Sequence, residues 1–347
     1  MSGITTVAGL AEAGLTSGDD LAQLERVAAQ FSVAISKDMV ELIDPSDPDD
    51  PIARQFVPSE AELDIDVNEL TDPIGDEAHS PVRGIVHRYP DRVLLKVVEV
   101  CPVYCRFCFR RELIGPGHGG LDAAALDAAI AYIAGNAGIW EVILTGGDPL
   151  ILSPRRLADI MARLQAIDHV GVIRIHTRIP VVDPARITDG LVAALKGDKP
   201  IYVLLHCNHP RELTPQARQA CALLVDAGIP MLGQSVLLRG INDEAVVLTQ
   251  LFRAMVESRV KPHYLHHGDH ARGTGHFRAT IAHGQKLMRE LRGRVSGLCQ
   301  PSYMLDIPGG AGKVPIGPDY LEADGDERYL VEDYQGQTHI WPPTATD

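Results

Sequence analysis

Three cysteines lie close together in the segment VEVCPVYCRFCFRREL, residues 98–113. Cys101, Cys105 and Cys108 have the spacing C-x3-C-x2-C. A four-iron, four-sulfur cluster needs one ligand for each iron, normally a thiolate, so three cysteines leave the fourth iron open to another ligand. Zinc usually takes a fourth protein ligand, and no second compact cysteine pair is present elsewhere in the sequence. The spacing therefore favours an open-sided cluster, with a zinc site or three buried thiols as the alternatives.

Composition and charge limit the classes of function. The chain has 347 residues, 45% of them hydrophobic, which is enough for a large core in one domain or two. The formal net charge of −14 argues against a nucleic-acid partner and suits a small cationic substrate. Neither a signal peptide nor a membrane span is visible, so we expect a cytoplasmic protein without a membrane partner. In that compartment we expect Cys207, Cys221 and Cys299 to be core thiols rather than disulfides.

A regular alternation of apolar runs and helical patterns begins at Arg92. The runs are RVLLKVVEV, EVILTGG, GVIRIHT, IYVLLHCN, PMLGQSVLL and PHYLHH. Near-continuous apolar strands indicate a parallel sheet that is covered by helices. The polar residues at or just after the strand ends are Cys101, TGGDP (145–149), His176, His206, Gln234 and His266. Because active sites of parallel barrels gather at this end, we predict an α/β fold with a partial (β/α)6 barrel rather than an open sheet.

The first 84 residues differ from this pattern. DDLAQLERVAAQFSV has the periodicity of an amphipathic helix, and the following LIDPSDPDDPIARQF is rich in Pro and Asp, as loops are. We therefore divide the chain into an N-terminal helical and loop extension (1–84), a partial barrel (85–290) and a short C-terminal segment (291–347).

The cysteine spacing after the first strand, with Phe107 before the last cysteine, resembles the radical S-adenosylmethionine (SAM) superfamily. The resemblance implies that the open iron binds the amino and carboxylate groups of SAM, and that an electron from the cluster releases a 5′-deoxyadenosyl radical. The backbone of Gly146, Gly147 and Asp148 in TGGDP would then contact the methionine amino group of SAM. Taken alone, TGGDP is typical of an ordinary strand-to-helix turn.

Further segments narrow the resemblance. HRYPDRVLL, CPVYCRFCFRR, LTGGDPL, CNHPRELT, VLLRGIND, GTGHFR and DIPGGAGKVP together resemble lysine 2,3-aminomutase, over residues 85–320. Enzymes of that family are isomerases that move the amino group of L-lysine from C2 to C3 and use SAM, a [4Fe–4S] cluster and pyridoxal phosphate. The resemblance also implies a reductant such as flavodoxin or ferredoxin, and a homo-oligomer.

The resemblance assigns cofactor roles to single residues. Lys313, in PGGAGKVP, would form the aldimine with pyridoxal phosphate, and the small residues before it would let the backbone approach that cofactor. Arg88 and Arg92 would hold the phosphate, which a guanidinium binds with two parallel hydrogen bonds. His206 and Gln234 match positions near SAM. Without the resemblance, the lysine and both arginines would be read as surface charges and the histidine as a packing residue.

Substrate roles follow in the same way. Arg110 would bind the substrate carboxylate, whereas its neighbour Arg111 would be a surface charge or a counter-ion near the cluster. Asp269 and Asp306 would bind the ε-ammonium of lysine, because a pair of anions selects a cationic side chain. A relative that acts on glutamate would carry non-acidic groups there. The radical would abstract the C3 hydrogen of lysine while it is bound to pyridoxal phosphate through its imine nitrogen.

Some features depart from the longer aminomutases. The sequence ends at Asp347 and has no cysteine after Cys299, so we expect no zinc site of the kind that assists assembly in those enzymes. This length, and His266, suit the branch that makes β-lysine for elongation factor P, whereas GTGHFRATI and DIPGGAGKVP resemble the free-lysine enzymes. Two other hypotheses stay open: a zinc protein without activity, and a radical enzyme that does not use pyridoxal phosphate.

Overall fold

The computed structural model describes residues 3–17, 20–115 and 119–343. The helices are Val7–Glu12 (α1), Leu21–Ala28 (α2), Lys37–Leu42 (α3), Ala53–Phe56 (α4), Ala123–Ala134 (α5), Pro154–Gln165 (α6), Ile179–Val182 (α7), Asp189–Leu195 (α8), Pro215–Asp226 (α9), Ala245–Glu257 (α10) and Ile281–Leu291 (α11). The strands are Ile85–Tyr89 (β1), Arg92–Val98 (β2), Glu141–Gly146 (β3), Val172–Thr177 (β4), Ile201–His206 (β5), Met231–Val236 (β6), Val260–His266 (β7), Ser302–Ile307 (β8), Gly312–Pro315 (β9), Leu321–Ala323 (β10), Tyr329–Glu332 (β11) and Thr338–Trp341 (β12).

Strands β1 to β9 form one sheet in chain order. Every neighbouring pair from β2 to β8 is parallel, and only the edge strands β1 and β9 pair antiparallel. The six predicted strands are β2 to β7, so the prediction of a parallel, helix-covered partial barrel is confirmed. The sequence pattern did not indicate β8, a seventh parallel strand, and the sheet therefore continues past residue 290. The division into three domains stays a prediction.

The helices that connect the strands bury one apolar face each. In α6, Leu157, Ile160, Met161 and Leu164 are buried, which is the i, i+3, i+4, i+7 spacing of a helix on a sheet. Pro154 occupies the first turn, where its missing N–H costs nothing, and the Ser153 hydroxyl caps the helix by accepting from the backbone N–H of Arg156 at 3.3 Å. The predicted thiols Cys207, Cys221 and Cys299 are buried and free, as expected.

The two edges of the large sheet come together at one side chain. The backbone N–H of Lys313, in β9, donates to the Tyr89 hydroxyl at the end of β1, at 2.7 Å. This bond bridges the open side of the barrel and fixes the start of β9 beside the barrel interior.

Strands β10 to β12 form a separate antiparallel sheet. Within the described ranges, no helix is both long and apolar enough to cross a membrane.

Candidate active site

A cavity of about 360 Å³ runs through the interior of the barrel to the carboxyl ends of its strands. All the residues to which the sequence gave a role in metal, cofactor or substrate binding line this cavity: Cys101, Cys105, Cys108, Arg88, Arg92, Gly146, Gly147, Asp148, His206, Gln234, Arg110, Asp269, Asp306 and Lys313. His176 and His266, which had no role, line it as well. Residues from positions 88 to 313 are thus brought to one place.

The cysteine loop follows β2 and is anchored by the N-terminal extension. The backbone N–H of Tyr104 donates to Ala34 O at 2.7 Å, and that of Arg106 donates to Gln55 O at 2.9 Å. Burial raises the pKa of each of the three thiols, for Cys108 to about 11, so they are protonated at neutral pH unless a cation draws them into the thiolate form. In the described residues no three His, Cys, Asp or Glu side chains converge as ligands of a single ion. Thiolates of an iron–sulfur cluster each bind a different iron.

A buried arginine, which the sequence did not single out, touches one of these thiols. Arg178, at the end of β4, donates from Nη1 to Cys105 Sγ at 2.9 Å and from Nη2 to Glu212 Oε2 at 2.7 Å. Gln55 donates to Glu212 Oε1 at 3.1 Å and accepts from Nη2 of Arg178. Burial lowers the pKa of Arg178, but Glu212 and Cys105 outweigh it and raise the pKa overall. A permanent cation therefore lies against Cys105.

A second buried ion cluster holds the cysteine loop from the other side. Glu62 pairs with Arg106, whose Nη2 lies 2.6 Å from Oε2, and with Arg111. Arg111 also donates to the carbonyls of Arg272 and Gly273 and is only 3% exposed. Of the two alternatives predicted for Arg111, a surface charge is wrong, because its buried guanidinium connects the cysteine loop to Glu62 of the extension and to the loop after β7. A counter-ion near the cluster stays a prediction.

The TGGDP turn packs tightly against the end of β2. The backbone N–H groups of Gly147 and Asp148 donate to the carbonyls of Val98 and Val100, at 2.5 and 3.0 Å. A Cβ atom at Gly146 or Gly147 would collide with these same carbonyls, and Gly146 has a φ of +111°. Both donors are therefore used within the fold, which leaves the carbonyl oxygens of the turn as the groups that could contact an amino group.

The carboxylate of Asp148 serves the fold rather than the cavity. It accepts from the Thr177 hydroxyl at 2.7 Å, from the backbone N–H of Arg178 at 2.6 Å and from that of Leu150 at 3.0 Å. Burial raises its pKa, and these hydrogen bonds oppose the rise. Asp148 thereby locks the ends of β3 and β4 together and fixes the backbone that carries Arg178.

Lys313 projects from β9 into the cavity and forms an ion pair with Asp306 of β8. The two residues are register partners in the antiparallel pair β8–β9. Oδ1 of Asp306 is buried and has no hydrogen-bond partner among the described residues. The turn before β9 contains Gly309 and Gly310, with φ of +76° and +84°, conformations that suit glycine. This arrangement places an ammonium group at the carboxylate that the sequence assigned to substrate.

The predicted phosphate-binding arginines lie at different depths. Arg92 begins β2, stacks on the Tyr89 ring at 3.8 Å and lines the cavity together with Arg174. Burial lowers the pKa of Arg174, Glu141 opposes this, and the charge of Arg92 lowers it further, as expected for two cations in one place. Arg88 instead lies near Asp306, with Nη1 3.9 Å from Oδ1. The floor of the barrel therefore holds an arginine pair, Arg92 with Arg174, that the sequence only half identified.

Burial gives the histidines of the cavity lowered pKa values. The pKa of His206 falls to about 3, and those of His176 and His266 fall well below the usual value. All three are therefore neutral at pH 7. His206 lies on β5 directly beside its register partner Gln234 on β6, and His176 Nε2 is buried without a hydrogen-bond partner in the described part of the chain.

Comparison with known proteins shows to which family the chain belongs. The family model "Radical SAM superfamily" matches residues 95–252, and the model "Lysine-2,3-aminomutase" matches residues 288–345. The L-lysine 2,3-aminomutase of Clostridium subterminale is 41% identical over 304 residues, which cover 88% of this chain and 73% of that enzyme. The L-lysine 2,3-aminomutase of Escherichia coli K12 is 37% identical, covering 82% and 83%. The glutamate 2,3-aminomutase of Clostridioides difficile is 39% identical, covering 90% and 74%.

The chain belongs to the lysine 2,3-aminomutase family. It is therefore an isomerase of the radical SAM superfamily, whose domain uses SAM and a [4Fe–4S] cluster. The cavity of this aminomutase fits both groups. Three thiols line one wall, and among the described side chains only Arg178 donates a hydrogen bond to one of them. His176, whose buried Nε2 has no hydrogen-bond partner in the same described part, lines the cavity as well. The residues Gln55, Arg178 and Glu212 support that wall, and their link is invisible in the sequence because 123 and 157 positions separate Gln55 from its partners.

Proposed function

We propose that this aminomutase converts L-lysine into β-lysine and uses pyridoxal phosphate in addition to SAM and the cluster. The observation that carries the proposal is the placement of Asp269 and Asp306 in one cavity with Arg110 and Lys313. An amino acid with a cationic side chain needs an anionic group at one end and a guanidinium for its carboxylate at the other.

The residues present fit the cofactors. Cys101, Cys105 and Cys108 would each ligate one iron of the cluster. Lys313 would hold pyridoxal phosphate covalently, and the pair Arg92 and Arg174 at the barrel floor would bind its phosphate. SAM at the reduced cluster supplies a hydrogen-abstracting carbon radical, and pyridoxal phosphate carries the migrating amino group.

Lysine is favoured over glutamate by the charge at the far end of the cavity. Burial first, and then the neighbouring Asp306, raise the pKa of Asp269 to about 7. Two carboxylates that share one buried site cannot both ionise cheaply, so the site gains most from a ligand that brings a positive charge. A glutamate side chain would add a third carboxylate and be repelled. Glutamate, the substrate in the name of one similar protein, is therefore the alternative substrate, and this geometry disfavours it.

The chain's own residues also prepare Lys313 for exchange. Asp306 forms an ion pair with Lys313. When Lys313 holds pyridoxal phosphate, this carboxylate would be free to bind the ε-ammonium of an incoming lysine. Arg110 would bind the carboxylate of the same substrate, so that both charged groups of lysine have a partner in the cavity. The surrounding apolar wall, which includes Val86, Ile143 and Met304, excludes water from this space.

The test is an anaerobic assay of the reconstituted protein with dithionite, SAM, pyridoxal phosphate and L-lysine, with detection of β-lysine by mass spectrometry. We expect β-lysine from the wild type, none from Lys313→Ala, and at most traces of β-glutamate when L-glutamate is supplied instead. Borohydride reduction should attach pyridoxal phosphate to the peptide that contains Lys313. Release of 5′-deoxyadenosine without β-lysine, equal in wild type and Lys313→Ala, would refute the proposal. The reductant, the oligomeric state and the choice between free-lysine metabolism and the elongation factor P branch stay predictions.

A further inference from the structure

Asp76, in the N-terminal extension, connects two of the arginines in the active site. Its carboxylate is buried, with the residue 2% exposed. Oδ2 accepts from Arg110 Nε at 2.8 Å, and Oδ1 accepts from Arg88 Nη2 at 3.3 Å. Neither the sequence patterns nor the resemblance singled out this aspartate. Each of its oxygens faces a different guanidinium that lines the cavity.

The segment around Asp76 is held in place by further contacts, one of which is a hydrogen bond from Arg88 Nη2 to the Ile74 carbonyl at 2.5 Å. Asp72 accepts from the backbone N–H of Asp76 at 2.9 Å and of Glu77 at 2.8 Å. The Ser80 hydroxyl donates to the Asp76 carbonyl at 2.7 Å. Gly75 has a φ of +68°, and a Cβ atom there would lie 2.5 Å from the carbonyl carbon of Gly309. The segment is therefore packed against the turn that precedes Lys313, and the carboxylate has little freedom to move.

This contact determines how Arg110 faces the cavity. A guanidinium is planar, with its five N–H groups fixed in one fork. Because Nε is bound to Asp76, the plane of the guanidinium is fixed, and the terminal edge with Nη1 and Nη2 is left free. Among the described residues, Asp76 is the only side chain that accepts a hydrogen bond from Arg110, and the Phe109 ring lies against its face at 4.5 Å. The free edge is thus available for a second carboxylate with two parallel hydrogen bonds.

Charges of alternating sign continue from Asp76 to Lys313. Arg88, on the other side of Asp76, lies 3.9 Å from Asp306, and Asp306 pairs with Lys313. Burial would raise the pKa of Asp76, but the charges of Arg110, Lys96 and Arg88 outweigh it and lower the pKa, so the carboxylate is ionised at neutral pH. The order Arg110, Asp76, Arg88, Asp306, Lys313 therefore links both ends of the substrate site.

We propose that Asp76 is a positioning residue that orients Arg110 for the substrate carboxylate and Arg88 for Asp306. The proposal rests on the function proposed above, because it assumes that an amino acid occupies the cavity. Asp76 does not touch the substrate. Its effect should therefore appear in the recognition of the carboxylate and not in the cluster or in the attachment of pyridoxal phosphate.

The experiment compares the binding of L-lysine and L-lysinamide, whose carboxylate is replaced by a neutral amide. Binding to the reconstituted protein loaded with pyridoxal phosphate is followed by the visible absorbance of that cofactor. We expect Asp76→Asn to reduce the preference for lysine over lysinamide by about tenfold or more, the scale of a hydrogen bond to a charged group. Asp76→Glu, which restores the charge on a longer side chain, should recover part of the preference. In an Arg110→Met background, Asp76→Asn should cause no further loss.

Asp50→Asn is the matched control, since Asp50 is also buried and pairs with an arginine, Arg211, at 2.6 Å, outside the cavity. It should lower the thermal midpoint and leave the preference unchanged. If Asp76→Asn kept the wild-type preference for lysine over lysinamide, the proposal would be overturned. The same holds if Asp76→Asn and Arg110→Met reduced this preference additively in the double variant. If Asp76→Asn does not fold, Asp76→Ser takes its place, and a wild-type preference for lysine over lysinamide in that variant has the same meaning. Wild-type protein whose absorbance does not respond to lysine would refute the proposed function instead.

Discussion

The most direct prediction concerns the affinity for lysine as a function of pH. Asp269 lies in the cavity wall, and burial together with Asp306 raises its pKa to about 7 from an ordinary value of 3.8. Below pH 7 the carboxyl group is therefore protonated in the free protein. An ε-ammonium that binds there must first displace this proton, so lysine should bind more weakly as the pH falls.

The magnitude follows from the raised pKa. When one proton is lost on binding, the apparent affinity falls about tenfold for each pH unit below the pKa of the free protein. If the bound ammonium restores the ordinary pKa of Asp269, the interaction contributes up to about 4 kcal/mol at alkaline pH, at 1.36 kcal/mol for each pKa unit. Solvent in the cavity reduces this upper limit.

The assay is a titration of the protein loaded with pyridoxal phosphate at several pH values between about 5.5 and 8.5, a range that brackets the raised pKa. L-norleucine is the matched ligand, because it has the same α-amino and carboxylate groups but no ε-ammonium. The ratio of the two affinities cancels protonation of the α-amino group. We expect this ratio to rise with pH and level off above about 7, and to become independent of pH in Asp269→Asn. A ratio that is flat in the wild type would refute the reasoning.

The same raised pKa affects stability. The pKa of Asp269 in the folded state lies above its value of 3.8 in the unfolded chain, so its contribution to stability is fully present below about pH 4 and is lost as the pH rises through 7. Asp269→Asn should therefore raise the thermal midpoint of the unliganded protein at pH 8 and leave it nearly unchanged at pH 4. A variant less stable than the wild type at pH 8 would contradict the burial of an ionised group here.

Three further predictions concern the walls of the cavity. Alanine in place of Cys101, Cys105 or Cys108 should abolish the visible absorbance of the reconstituted cluster. The control Cys221→Ala should retain this absorbance. A full cluster in any of the first three variants would refute the assignment of these cysteines as ligands. Glu212→Ala should destabilise the fold by about 3–5 kcal/mol in denaturant titrations because it leaves Arg178 buried and unpaired, and Glu257→Ala, which breaks an exposed pair, should cost less than about 1 kcal/mol. Gly147→Ala should weaken SAM binding in equilibrium dialysis, since its Cβ displaces the end of β2; unchanged affinity would show that the turn tolerates a side chain.

The parallel sheet was predictable because each buried strand is a short apolar run followed by a helix of period 3.6. The polar groups at the strand ends were predictable for the same reason, since the carboxyl ends of parallel strands meet at one face of a barrel. Strand β8 escaped this reasoning. Its sequence, SYMLDI, is short and ends with Asp306, and it is followed by an antiparallel strand rather than a helix. A strand that is not followed by a helix lacks the repeating unit that identified the others.

The supporting contacts could not be predicted, because the sequence separates their members widely. Gln55 meets Glu212 across 157 positions, and Glu62 meets Arg111 across 49. Glu212 did carry a local signal: it is the third residue of a 3-10 turn, in the segment HPRE, and its carboxylate accepts from the backbone N–H of His209, the residue before the turn, at 2.9 Å. A buried acid in such a turn indicates a partner cation, but not which one. The resemblance supplied Arg88 and Arg92, whereas the position of Arg174 beside Arg92 needed the three-dimensional structure.

Net charge was a poor guide to the chemistry of this cavity. The chain carries a formal charge of −14, which suited a cationic substrate, yet the cavity is lined by many cationic side chains. They are Arg88, Arg92, Arg110, Arg174, Arg178 and Lys313, and the acids Asp269 and Asp306 line the same cavity. These cations suit the anions proposed to bind there, namely a phosphate and an amino-acid carboxylate. Selection of a cationic side chain then depends on the local pair Asp269 and Asp306, because other acids of the wall and of the residues behind it, such as Asp76 and Glu212, already pair with arginines. Removing either aspartate should therefore affect the choice of substrate far more than a change of surface charge would.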